Sequence, residues 1–130
     1  MDTSKKFKII IVDDEPALLH SLDFTLRRHH FETVTSKNSQ DALSSVKIAL
    51  DSNNSFDLLI TDIQLPGMSG LQLIDDLEQM NISLPSLVIT EFVDSNMING
   101  IKQRHISHFL CKPFSTDELL LRVNRILNLY

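Results

Sequence analysis

Short hydrophobic runs punctuate this chain: Ile9-Ile10-Ile11-Val12, Leu58-Leu59-Ile60, Leu87-Val88-Ile89 and Phe109-Leu110-Cys111. Each is rich in β-branched or aromatic side chains and bounded by turn residues, the pattern of strands buried on both faces. Thr33-Val34-Thr35 is a weaker candidate that falls second in order. Between these runs the apolar period becomes that of a helix. Pro16 occupies a first helical position, and the stripe Leu18, Leu19, Leu22 and Leu26 predicts a helix to about His29. Ala42, Leu43, Val46 and Leu50 predict a second helix, and Asp51-Ser52-Asn53-Asn54-Ser55 reads as the loop after it. Ser69-Gly70-Leu71-Gln72 and Ser115-Thr116-Asp117-Glu118 each fit a capping box, in which Ser and Gln or Glu satisfy orphan amides reciprocally. They open a third helix facing inward with Leu71, Ile74 and Leu77, and a fifth facing inward with Leu119, Val123, Ile126 and Leu127. The fourth helix, about Ser95 to Arg104, carries only Met97, Ile98 and Ile101, and so thin an anchor makes it a candidate for movement. Strand and helix alternate five times. That order predicts an α/β fold, a parallel sheet with helices on both faces.

Composition narrows the class. At 130 residues the chain reads as one domain over 1–130 with an ordinary core. Cys111 is the single cysteine, so no intrachain disulfide forms, and a thiol inside an apolar run is expected to be a small buried hydrophobe. That usage fits a reducing, cytoplasmic location. No apolar signal core follows Met1 to Lys6, and no run reaches membrane-spanning length, so a soluble protein with no membrane contact is expected. The formal charge of -5 argues against nucleic acid contact by this segment.

If the runs are parallel strands, the residues that end them share one sheet edge, where open α/β sheets place their function. Those residues are Asp13-Asp14, Asp62, Thr90 and Lys112. Three carboxylates repel one another unless a cation neutralises them, and oxygen-only ligation suits Mg²⁺, with Mn²⁺ as an alternative. A positioned carboxylate can attack phosphorus to give an acyl phosphate, and the turn Leu65-Pro66-Gly67-Met68 would hold Asp62 accessible. Phosphoryl transfer spreads charge over three equatorial oxygens. Mg²⁺ and Lys112 cover two, and the Thr90 hydroxyl can donate to the third. An Asp-Asp pair at a strand-helix junction often serves only as an N-cap, and a lone Thr or Lys there is usually a solvated terminus. The conjunction of all five argues for chemistry. A haloacid-dehalogenase-type phosphatase would want a second Asp two positions after the nucleophile, where this chain has Gln64; a flavin phosphate cradle would be repelled by Asp13-Asp14-Glu15.

These residues resemble the receiver domain of two-component response regulators. The likeness runs from Lys8 through Glu15-Pro16, Asp62 and Leu65-Pro66-Gly67-Met68-Ser69-Gly70-Leu71 to Phe109-Leu110-Cys111-Lys112-Pro113-Phe114. It implies a doubly wound, flavodoxin-like sheet of five strands in the order 2-1-3-4-5. It implies that Asp62 is the phosphoacceptor, that Asp13, Asp14, Asp62 and the Gln64 backbone carbonyl hold Mg²⁺, and that Thr90 is the switch hydroxyl. Lys112 matches the family's lysine, Lys112-Pro113 would be a cis peptide, and Phe109 matches the aromatic that turns inward on activation. The implied function is a phosphorylation-activated switch, autocatalytic rather than a turnover enzyme. It would take a phosphoryl group from the phosphohistidine of a sensor histidine kinase or phosphotransfer protein and relay it through helix four, strand five and helix five.

The chain departs from the family pattern after Thr90, where Glu91 stands in place of a small residue and is expected to crowd access to the site and slow small donors. Gln64 and Phe92 flank the phosphate position and would set its lifetime. His105-Ile106 replaces a common Gly-Ala pair, so the turn into strand five should be bulkier. None of His20, His29, His30, His105 or His108 is needed as a donor, and His29-His30 suit a helix C-terminus. Leu121 and Leu129 exceed the inward stripe of the fifth helix and could serve a homodimer or an output partner. The competing reading is a degenerate receiver that acts only as a constitutive interaction module. The chain reads either as a stand-alone receiver or as one domain of a longer regulator.

Overall fold

The computed structural model describes residues 6–91 and 94–129. Strands and helices alternate in the order β1 (Lys8–Val12), α1 (Pro16–Arg28), β2 (Glu32–Ser36), α2 (Ser39–Asp51), β3 (Leu58–Asp62), α3 (Gly70–Gln79), β4 (Ser86–Thr90), α4 (Ser95–Gln103), β5 (Phe109–Cys111) and α5 (Thr116–Ile126). The strands form one sheet in the order β2-β1-β3-β4-β5, and every neighbouring pair is parallel. Alternate side chains feed two cores. Ile10, Val12, Leu59 and Val88 meet Ala42, Val46, Leu73, Ile74, Leu77 and Ile101 on one face. Ile9, Ile11, Leu58, Ile60, Leu87, Ile89 and Leu110 meet Leu19, Leu22, Leu26, Leu119 and Val123 on the other. With both faces covered, the central strands have no polar side to show, which is why their runs are continuous rather than alternating. Each such aliphatic side chain stabilises the fold by about 1.5–3 kcal/mol.

Both capping boxes are present. Ser69 accepts the Gln72 amide at 3.2 Å while Gln72 accepts the Ser69 amide at 2.9 Å; Ser115 and Glu118 do the same at 3.0 and 3.2 Å. Asn38 and Asp94 cap α2 and α4 through Asp41 and Met97. At the other ends, each of the five helices closes with a left-handed residue that is not glycine: His30, Asn53, Asn81, His105 and Asn128. Their amides and those of the next residues turn back onto the last helical carbonyls, as in Phe31 to Leu26 and His30 to Arg27, both 3.1 Å. The chain has only three glycines and places none at these turns, so Asn and His take the strained conformation instead. His105 occupies the position where the receiver pattern favours glycine, and its φ is 56°.

Several apolar positions differ from the periodic reading. The inward stripe of α3 is Leu73, Ile74 and Leu77; Leu71 is half-buried and lies toward α4, where a Cβ on Gly100 would meet its Cδ1 at 3.1 Å. On α2 the inward residue is Ala49, while Leu50 is 44% exposed, because a 100° step per residue carries Leu50 past the edge of the buried face. Asp51 is the last residue of α2, so the following loop starts at Ser52. Cys111 is exposed, not buried: it ends a three-residue strand at the sheet edge, with no further strand beside it among the described residues. Leu121 and Leu129 are exposed as expected, and Ile101 is the only buried residue of α4 among those described.

Candidate functional site

The ladder continues past the strand ends and carries the candidate site residues with it. The Asp13 amide donates to Ser36 O at 3.1 Å, the Ile63 amide to Ile89 O at 3.2 Å, and the Lys112 amide to Thr90 O at 2.8 Å. Asp13, Asp62 and Lys112 are thus fixed by main-chain bonds of the sheet. Asp13 is fully buried, Asp62 and Thr90 are buried, Lys112 is half-buried and Asp14 is exposed. The Lys112 ammonium donates to Asp62 Oδ2 at 2.9 Å and to Asp13 Oδ2 at 3.1 Å. Asp62 Oδ1 accepts the Gln64 amide at 3.2 Å, and Asp13 Oδ1 accepts the Glu15 amide at 2.8 Å. The N-cap of α1 is Glu15, without a side-chain cap, so neither Asp13 nor Asp14 serves as that helix's N-cap. The Lys112-Pro113 peptide is cis.

Asp13, Asp14 and Asp62 each point an oxygen into one place, all within 4.8 Å of one another. With Glu15, Gln64, Glu91 and Lys112 they line a cavity of about 260 Å³. Burial pushes the Asp13 carboxyl above its usual range, and the Asp62 charge adds to this, although the Glu15 amide and Lys112 oppose it. Burial alone would lower Lys112, but its hydrogen bonds to Asp62 and Asp13 outweigh that and raise it. Two buried carboxylates thus share a single ammonium while a third lies close by, and the site is short of positive charge. A hard divalent cation is the chemical complement of this oxygen set.

Thr90 ends β4 at the same sheet edge but does not line the cavity; its hydroxyl donates to Met97 Sδ at 3.7 Å. Phe109 is half-buried and packs against the cluster beneath α3 and α4. Glu91 is exposed at the rim, and Phe92 lies outside the described residues.

The family model for the response regulator receiver domain matches residues 9–124. The chain belongs to that family. Receiver domains are signalling switches phosphorylated on an aspartate, not turnover enzymes, and they bind Mg²⁺ in an acidic cluster of this kind. This receiver is 32% identical over 119 residues to the transcriptional regulatory protein FixJ of Rhizobium meliloti, covering 92% of the chain and 56% of the relative. It is 27% identical over 121 residues to the alkaline phosphatase synthesis transcriptional regulatory protein PhoP of Bacillus subtilis, covering 92% and 48%. The chain therefore spans about half the length of these relatives. In fold it is similar to the CheY-like receiver domain protein of Methanospirillum hungatei, with TM-score 0.85, 22% identity and 95% of each chain covered. Among the described residues, no helix is long and apolar enough to cross a membrane.

Two residues of the receiver escaped the periodic reading. A Cβ on Gly70 would sit 2.0 Å from the Asp62 carbonyl oxygen and 2.9 Å from Thr61 Oγ1, so only glycine lets α3 begin this close to β3. Thr61, fully buried, donates to that same carbonyl at 2.9 Å. The signal for Gly70 was a glycine directly after a Ser N-cap, a helical position where glycine has no intrinsic advantage.

Proposed function

We propose that this receiver accepts a phosphoryl group on Asp62 from the phosphohistidine of a sensor histidine kinase or phosphotransfer protein. The observation that carries the proposal is the Lys112 ammonium bridging Asp62 and Asp13 beside a third carboxylate. Asp62, the Lys112 ammonium and the Asp13-Asp14 pair share one cavity, which supports their reading as nucleophile, countercharge and cation-binding pair. An Asp62 carboxylate oxygen attacks phosphorus in line; the oxygen-phosphorus bond forms, the imidazole nitrogen-phosphorus bond breaks, and the imidazole leaves with the electron pair. Lys112 already touches Asp62 and is placed to follow the charge as it moves onto phosphoryl oxygens. Thr90 can turn its hydroxyl to another of those oxygens. Asp13, Asp14, Asp62 and the Gln64 carbonyl would hold Mg²⁺, which when bound neutralises charge on the transferring group. Mn²⁺ offers the same coordination chemistry.

The acyl phosphate then acts as a covalent ligand that shifts the population of α4, β5 and α5. Thin anchoring of α4 and the half-buried Phe109 support that route. Residues 1–130 form a single receiver domain in this reading, working in the cytoplasm without nucleic acid contact of its own. The exposed Leu121 and Leu129 offer a face to an output partner or a second copy. Incubation with Mg²⁺ and acetyl phosphate followed by intact-mass measurement tests the proposal. One added phosphoryl group, abolished by Asp62→Asn, supports it; an unlabelled wild type under conditions that label another receiver favours the constitutive module.

A further inference from the structure

Helix α4 is tied down unequally at its two ends. At its C-terminal end Arg104 makes a bidentate pair with Asp75 of α3, both contacts 2.8 Å, and also donates to Gly100 O at 2.9 Å. At its N-terminal end the described side-chain tie runs through Met97. Its amide is held by the Asp94 cap at 2.8 Å, and its sulfur accepts the Thr90 hydroxyl at 3.7 Å. Paired charges in a fork are strong partners and a thioether is a weak acceptor, so the N-terminal end releases first. Met97 is half-buried and packs, like Phe109, against the cluster under α3 and α4. One side chain therefore joins the end of β4, the first turn of α4 and the packing around Phe109.

We propose that Met97 is a positioning residue for phosphoryl transfer at Asp62: its thioether holds the Thr90 hydroxyl toward α4 in the resting receiver. A phosphoryl oxygen at Asp62 is a charged and stronger acceptor, so the hydroxyl exchanges sulfur for phosphate and the first turn of α4 loses its tie to β4. The hydroxyl-thioether contact is neutral and weak, which suits a bond that must be given up. The proposal rests on the function proposed above and names the side chain through which it reaches α4.

The rival is a methionine that merely fills space, a common role for this residue. Met97→Leu keeps the volume and removes the acceptor, whereas Met97→Gln supplies a stronger one. Binding of beryllofluoride, a phosphoryl mimic, with Mg²⁺ is measured by calorimetry on the full chain for wild type and both variants. The same measurement is made for Thr90→Ala alone and combined with each Met97 substitution, with urea midpoints as a folding control. Met97→Leu is expected to bind about two- to tenfold more tightly than wild type, the worth of one neutral hydrogen bond, and Met97→Gln more weakly. Both differences vanish without the hydroxyl, because the coupling runs through Thr90. Equal effects with Thr90 intact and in the Thr90→Ala background, or the same direction for leucine and glutamine, would overturn the positioning role alone. A wild type that binds no beryllofluoride overturns both this role and the phosphorylation reading.

Discussion

Replacing Asp13 with asparagine is expected to stabilise the metal-free receiver. Its carboxylate is fully buried and shares one ammonium with Asp62, and the three acidic groups lie within 4.8 Å of one another. At an effective dielectric constant of about 20, unit charges this far apart repel by roughly 3.5 kcal/mol, and the Lys112 contact at 3.1 Å returns roughly 5 kcal/mol. Asp14 is exposed, so its share is screened; burial adds to the cost of the charge and tips the balance against ionised Asp13. The Asn side chain still offers an oxygen to the Glu15 amide. We expect a net gain on the order of 1–2 kcal/mol for Asp13→Asn at pH 7 with a chelator present, read from urea unfolding at unchanged m. The pH dependence has a definite sign. Because folding raises the Asp13 pKa above 3.8, the folded state binds its proton more tightly. Wild-type stability from this group is therefore fully present below the unfolded pKa and lost as pH rises through the folded one. Asp13→Asn removes that loss. With Asp13 as one of the proposed Mg²⁺ ligands, added Mg²⁺ should reverse the ranking by stabilising the folded wild type more than the variant. If Asp13→Asn is no more stable than wild type in chelator, the charge-deficit argument is wrong.

Three further outcomes follow from single contacts. Gly70→Ala pushes a methyl group to 2.0 Å from the Asp62 carbonyl, and displacing α3 or β3 should cost about 1–3 kcal/mol in urea unfolding and slow labelling at Asp62. His105→Gly relieves a left-handed side chain at φ 56° and should raise stability by about 1 kcal/mol, with phosphorylation unchanged. Glu91→Ala should speed acetyl phosphate labelling by a small factor, on the order of threefold for an exposed charge at the cavity rim; equal rates would show that Glu91 does not govern access.

The candidate site at the sheet edge was legible because strand periodicity and parallel connection together dictate where strand-end residues meet. Asp13, Asp62, Thr90 and Lys112 needed no tertiary information beyond that rule. Gly70 did, since its closeness to the Asp62 carbonyl depends on where the loop after β3 returns. On α3 the buried stripe takes in Leu73 and leaves Leu71 half-buried against the core, and on α2 Leu50 lies outside the buried face, because period gives a stripe but not its rotation relative to the sheet. Cys111 looked buried inside an apolar run, and only strand order reveals that β5 is an edge. His30 and His105 were legible as helix ends but not as left-handed residues, since histidine adopts that conformation only in a minority of cases. Met97 read as a sparse core residue; its contact with Thr90 depends on how the segment between β4 and α4 folds.

The central claim is that Asp62 carries an acyl phosphate. Borohydride reduction converts an aspartyl phosphate to homoserine, and peptide mass spectrometry of the phosphorylated, reduced protein locates it. Homoserine at position 62, dependent on a phosphodonor and Mg²⁺, is the predicted result. Modification at Asp13 or Asp14, or none at all in a protein that holds Mg²⁺, would contradict the assignment.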